Sequence, residues 1–228
     1  MPDARLILLH GAVERAALFD AVLPFLDGFD VVAPDRAGHG DRWAEGPGTI
    51  AGDIRDVVAL LDEGPATVVG HSIGGLAAMG AALARPDLVR GIGLYETAVP
   101  WADWWTDDGR DAMLRETEAN VAAADGIDPT NPARDRLRMA WATCLQEVRD
   151  AFGAPFAWQE LTVPVTTGYG GEGTRPSARD AALVAAHYGV EPVVLAGAGH
   201  RAPKTDPDAF AAFVRRCDRP PARAGGGA

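Results

Sequence analysis

The chain has 228 residues, enough for one domain with a sizeable core, and its apolar fraction of 47% is ordinary for a globular protein. Twenty-one lysines and arginines against 32 aspartates and glutamates give a net charge of −11 without a basic run, which argues against nucleic acid or an anionic membrane as a partner. No apolar segment reaches the roughly 18–20 residues that span a bilayer, and Met1-Pro2-Asp3-Ala4-Arg5 lacks the layout of a signal peptide, so a cytoplasmic protein is expected.

Residues 5–9 form a nearly all-apolar run, as expected of a parallel strand buried on both faces, and end in His10-Gly11-Ala12. Ala17, Leu18, Ala21, Val22 and Phe25 make an apolar stripe that predicts a helix. Residues 29–33 read as a second strand, leading into Pro34-Asp35-Arg36-Ala37-Gly38-His39-Gly40. Residues 50–61 carry Ile54, Val57, Val58 and Leu61 at helical spacing. A short apolar strand at 66–69, an alanine-rich helix at 76–84 and a strand at 89–95 closing on Glu96 follow. This strand–helix alternation specifies an α/β protein with a mainly parallel sheet.

The alternation stops over residues 98–161, where helical patterns near 110–124 and 132–152 occur without a strand. About 60 residues are too many for a connecting loop, and a helical cap over the sheet edge is expected. The sheet resumes at 163–167, with a helix at 179–187, a last strand at 193–196 and a final helix at 208–217. The core is therefore expected to comprise residues 1–97 and 162–218, followed by a disordered tail at 219–228 rich in Pro, Gly and Ala. Cys144 and Cys217 have no histidines at metal spacing and read as idle or buried thiols, and no metal site is expected.

Gly70-His71-Ser72-Ile73-Gly74 sits between a strand and a helix, the setting in which G-x-S-x-G forms a nucleophile elbow. Such a turn is too tight for large neighbours, and Gly70, Gly74 and Gly75 supply the room that lifts the Ser72 hydroxyl above the sheet.

Together with His10-Gly11 after the first strand, the turn from Asp35 to Gly40, and Gly199-His200 after the last strand, the elbow resembles the α/β-hydrolase superfamily over about residues 4–217. The resemblance implies a mainly parallel sheet flanked by helices, with a helical cap insertion. It also implies a reduced N-terminal edge, because the chain starts almost at the first parallel strand. It makes Ser72 the nucleophile and His200, last in chain order, the base, with the backbone N–H groups of Ala12 and Ile73 as oxyanion donors. His10, His39 and His187 are expected to be structural, as is Asp35.

The acid is contested. In most relatives it follows the strand after the cap, but Gly171 stands there and the nearest carboxylate is Glu172. Some haloalkane dehalogenases place a Glu at the end of the strand after the elbow helix, and Gly93-Leu94-Tyr95-Glu96 matches that position. Glu96 also closes an apolar strand, where a desolvated carboxylate needs a partner. Glu96 is the preferred acid and Glu172 the alternative.

A serine rather than an aspartate in the elbow favours hydrolysis of a carboxylic ester, thioester or lactone through an acyl-serine, with no cofactor. Trp101, Trp105 and Trp141, with His71, are the candidate lining of an apolar pocket, unless the cap's rings (Trp104, Trp158, Phe152 and Phe156 among them) form its own core. Two other readings stay open: the same triad in C–C hydrolysis, lyase or acyl-transfer and cyclisation chemistry, or a non-catalytic module that holds a small molecule. The expected partner is a small-molecule substrate, and the protein is expected to be a monomer or homodimer.

Overall fold

Two interleaved apolar sets on β1 (Ala4–Leu9) set the architecture, because Leu6 and Leu8 point to one face of the sheet while Ile7 and Leu9 point to the other. The structure, a computed structural model, describes residues 4–99, 102–103, 105–153, 157–172 and 177–218. Trp101, Trp104, Phe156 and the expected tail at 219–228 lie outside the described residues.

β1 is joined by β2 (Phe29–Val32), β3 (Ala66–His71), β4 (Val89–Tyr95), β5 (Val165–Gly170) and β6 (Val193–Leu195) in one sheet of order β2-β1-β3-β4-β5-β6. Every pairing is parallel. One face is covered by α1 (Ile50–Leu61) and α2 (Gly74–Ala84), whose Val57, Leu61, Leu76 and Met79 pack on Ile7, Leu9 and Val68. The other face is covered by α7 (Pro207–Asp218), whose Phe210 and Phe213 pack on Leu6, Val69 and Tyr95. Parallel strands with both faces covered bury apolar residues continuously, which is why β3 is buried along its whole length.

Between β4 and β5 the chain forms α3 (Asp107–Asp125) and α4 (Arg134–Gly153), which pack against each other, and a short 3-10 turn at Trp158–Glu160. Thr106 caps α3 by accepting from the Gly109 N–H. α5 (Ser177–His187) and the short α6 (Ala202–Thr205) complete the fold. No helix among the described residues is long and apolar enough to cross a membrane.

One expected helix is absent. The stripe from Ala17 to Phe25 forms two 3-10 turns, Ala16–Phe19 and Leu23–Phe25, and Ala17, Ala21 and Phe25 are exposed while Leu18, Phe19, Val22 and Leu26 are buried. Pro24 lacks an amide hydrogen and its ring clashes with the carbonyl four residues back, so an α-helix cannot run through it. Apolar spacing predicted burial here but not the conformation. The restart after the cap is also later than expected, at Val165, because Pro164 has no donor for the ladder and contributes only its carbonyl, which accepts from the Ile92 N–H at 2.9 Å.

β3 and α2 approach each other backbone to backbone at Gly70. A Cβ on Gly70 would lie 2.3 Å from the Gly75 nitrogen and 2.4 Å from its Cα, both backbone atoms that cannot step aside. Gly70→Ala is therefore expected to lower the unfolding free energy by about 3 kcal/mol in urea titrations followed by circular dichroism. Gly153→Ala, where a Cβ meets nothing within 4 Å, should change it by less than about 1 kcal/mol. Equal effects would contradict the packing argument.

Candidate active site

The carboxyl ends of β1, β3, β4 and β6 lie along one edge of the sheet and deliver Ala12, Ser72, Glu96 and His200. Among the described residues, three non-glycine residues have positive φ: Val13 at 58°, Ser72 at 54° and Glu96 at 50°. All three stand at these strand ends. Backbone strain of this kind costs about 1–3 kcal/mol per residue and persists only where the surroundings enforce it.

At Ser72 the enforcement is the tight turn itself, together with a hydrogen bond from the Ser72 N–H to the Tyr95 carbonyl at 2.9 Å. At Glu96 the N–H donates to the Gly168 carbonyl at 2.8 Å, so the chain turns out of β4 while still held to β5. The side chain of Glu96, 2% exposed, accepts from the Gly170 N–H through Oε1 at 2.9 Å and from His200 Nδ1 through Oε2 at 2.8 Å. A carboxylate only accepts, so Nδ1 donates in that bond and Nε2 is the ring's other nitrogen. Glu172, by contrast, is exposed, and its N–H donates to the Ala198 carbonyl at 3.2 Å. Gly171, at the usual acid position, donates its N–H to Leu195.

The loop after β1 is braced by the turn after β2. The Gly11 carbonyl accepts from His10 Nδ1 at 2.8 Å and from a guanidinium nitrogen of Arg36 at 3.1 Å. In a planar trans peptide the next N–H points opposite to that carbonyl, so anchoring Gly11 aims the Ala12 N–H the other way. His39 Nε2 accepts from the Val13 N–H at 3.2 Å and holds the strained residue that follows. Both buried histidines act as neutral rings. Burial and the neighbouring Arg36 charge push His10 well below its ordinary pKa and bring His39 down to about 4.

Sequence reasoning did not reach the hub of this region. Arg36, 3% exposed, also donates to the His10 carbonyl, to Asp53 on α1 and to Glu147 on α4, so one guanidinium joins the loop after β1 to both helices. Asp53 and Glu147 share a single cation. Burial, against the pull of Arg36, pushes Glu147 up to about 7. Glu14 was also missed. One of its carboxylate oxygens lies 3.1 Å from His71 Nδ1, while His71 Nε2 donates to the His200 carbonyl at 2.7 Å. His71 thus steadies the backbone of His200. Asp35 accepts from the Ala16 and Asp41 N–H groups, a structural role.

A chamber of about 240 Å³ opens beneath the cap, with Ala12, Ser72 and Ile73 on the sheet side and Trp141, Val148 and Phe152 on α4 and its end. Cys144 lines it too, with a thiol that burial pushes up to about 12. Both cysteines are free and buried. Of the expected lining, Trp141 is in the chamber wall, whereas His71 lies behind the site and Trp101 lies outside the described residues. Trp105 is a correction. Its ring packs on the core and its indole N–H donates to Asp180 on α5 at 3.3 Å, which closes the base of the cap. Trp158 likewise belongs to the core, packed on His187 and Tyr188. Among the described residues no group of three or more His, Cys, Asp or Glu is arranged to hold a metal ion.

A family model described as "Alpha/beta hydrolase family" matches residues 6–213. Lipase LipV of Mycobacterium tuberculosis is 37% identical over 153 residues, covering 65% of this chain and 55% of that protein. Pyrethroid hydrolase of Sphingobium wenxiniae is 32% identical over 179 residues, covering 72% of this chain and 62% of that protein. These matches thus span somewhat over half the length of those relatives. A solved thermophilic esterase from Thermogutta terrifontis superimposes with a TM-score of 0.73 at 18% identity, over 95% of this chain and 89% of that one, a likeness of fold.

The shared cation makes a pH prediction. A carboxyl raised in the folded state to about 7 contributes stability that is fully present below its ordinary range and lost as pH rises through 7. Glu147→Gln keeps an acceptor for Arg36 and removes the titration. Its unfolding free energy relative to wild type should shift in its favour by up to about 3 kcal/mol between pH 5 and pH 8. A difference independent of pH would contradict the assignment.

Proposed function

This chain belongs to the alpha/beta hydrolase family, and on that premise we propose that it hydrolyses a carboxylic ester, thioester or lactone of a small apolar acid through an acyl-serine. Ser72 Oγ attacks the carbonyl as His200 Nε2 takes its proton. The oxyanion is received by the N–H groups of Ala12 and Ile73, and His200 returns the proton to the leaving oxygen or sulfur as the bond to the carbonyl carbon breaks. Water then adds to the acyl-enzyme with His200 again as base, releasing the acid and restoring Ser72. Glu96 holds the His200 tautomer and stabilises the imidazolium.

The observation that carries this reading is the bond of 2.8 Å between Glu96 Oε2 and His200 Nδ1, from a carboxylate buried at the end of the strand next to the one bearing Ser72. The small apolar chamber beside Ser72 supports a short acyl limb.

Hydrolysis of 4-nitrophenyl butanoate tests it. Glu96→Gln should lower kcat by about three to four orders of magnitude, because the wrong tautomer of His200 is then favoured. Ser72→Ala should abolish turnover, and Glu172→Gln should stay within about twofold of wild type. A large loss in Glu172→Gln with a mild one in Glu96→Gln would reassign the acid.

A further inference from the structure

A second cavity of about 530 Å³ is lined by chain neighbours of the chamber residues, and the charge of its lining is opposite to that of the protein. Arg15, Arg136, Arg201 and Lys204 line it, against Glu14 and Asp20. Cations outnumber carboxylates two to one there, in a chain where carboxylates outnumber cations 32 to 21. Lys204 is the one lysine in the sequence. The four cations come from three separate parts of the chain: the loop after β1, the first turns of α4, and the segment from His200 into α6. Convergence from three elements distinguishes the cleft from a charged helix face. Arg201 is paired with Glu14 at 3.1 Å, and Arg136 lies 3.7 Å from Asp41. Arg15 and Lys204 form no ion pair among the described residues.

Residues adjacent in the chain line the two cavities. Ala12 lines the chamber and Val13 the cleft; Trp141 lines the chamber and Ala140 the cleft. The cleft also begins at Arg201, the residue after His200. In ester cleavage the group that leaves must be reached by the protonated histidine, so it lies on the histidine side while the acyl limb lies beyond the oxyanion donors. We infer that the cleft of Arg15, Arg136, Arg201 and Lys204 seats the leaving group, and that this group is an alcohol or thiol bearing a phosphate or carboxylate. The inference rests on the serine-hydrolase reading above and adds the chemical class of the departing half. Guanidinium and ammonium groups at the rim both bind such an anion and draw it from solution, an attraction that salt weakens.

Matched butanoyl esters test it. One pair is 2-phosphoethyl butanoate against 2-hydroxyethyl butanoate; the other is carboxymethyl butanoate against its methyl ester. At low ionic strength the anionic member of at least one pair should have a kcat/KM about tenfold or more above its neutral partner, and the better pair identifies phosphate or carboxylate. The advantage should shrink in ~0.5 M salt and vanish in the double variant Arg136→Glu, Lys204→Glu. Neutral esters cleaved as well as anionic ones by wild type, or a preference that survives in the double variant, would overturn the cleft while leaving the hydrolase reading intact. If no ester is cleaved at all, the hydrolase reading has failed. The cleft is then judged by calorimetric binding of 2-phosphoethyl butanoate to wild type and double variant, where tighter binding to wild type upholds an anion site and equal binding removes it.

Discussion

β3 passes into α2 with no room for a side chain at Gly70 and with Ser72 held at a φ of 54°. A serine in that conformation cannot relax without separating the helix from the central strand, and that helix is apolar and buried along most of its length. Packing therefore maintains the strain, and the strain presents the hydroxyl. The neighbouring strand ends are treated in the same way. Val13 and Glu96 are also left-handed, each held by a hydrogen bond from its own N–H, to His39 and to the Gly168 carbonyl respectively. The chain pays for preorganisation at three points and recovers it from the sheet they grow out of.

Arg36 extends that control to the cap. A buried guanidinium is costly unless every donor finds an acceptor, and here the acceptors are two backbone carbonyls of the loop after β1 and two carboxylates from α1 and α4. Burial, reinforced by the same charge, depresses the pKa of His10 and His39, which keeps both rings neutral and able to accept the N–H groups of Arg36 and Val13. The loop after β1, helix α4 and the His10 and His39 rings thus meet around one cation. The pairing also anchors a wall of the chamber, since Glu147 and the chamber residues Cys144 and Val148 belong to the same helix.

What the sequence disclosed follows from the range of each interaction. Strand, glycine-flanked serine and helix are adjacent in the chain, so the elbow was readable as a local pattern. Glu96 was indicated by the resemblance to haloalkane dehalogenases that place a Glu there, supported by the need of a carboxylate closing an apolar strand for a partner, and it accepts from His200 across 104 residues. Arg36 and Glu147 are 111 residues apart, and neither lies in a pattern that calls for the other. The tryptophans show the same limit: Trp105 and Trp141 look alike in sequence, yet one faces Asp180 and the core while the other lines the chamber. Proline decided the segment around Leu23–Phe25, where apolar periodicity alone indicated a helix. The basic cleft had no linear signature because its cations are gathered from distant elements.

Activation of Ser72 by His200 is the claim on which the chemistry turns, and covalent labelling tests it without knowledge of the substrate. The protein would be exposed to a fluorophosphonate, weighed intact and mapped by peptide. The account predicts one adduct, on Ser72, retained in Glu172→Gln and lost in His200→Ala. No adduct under conditions that label a control serine hydrolase, or an adduct on another residue, would contradict it.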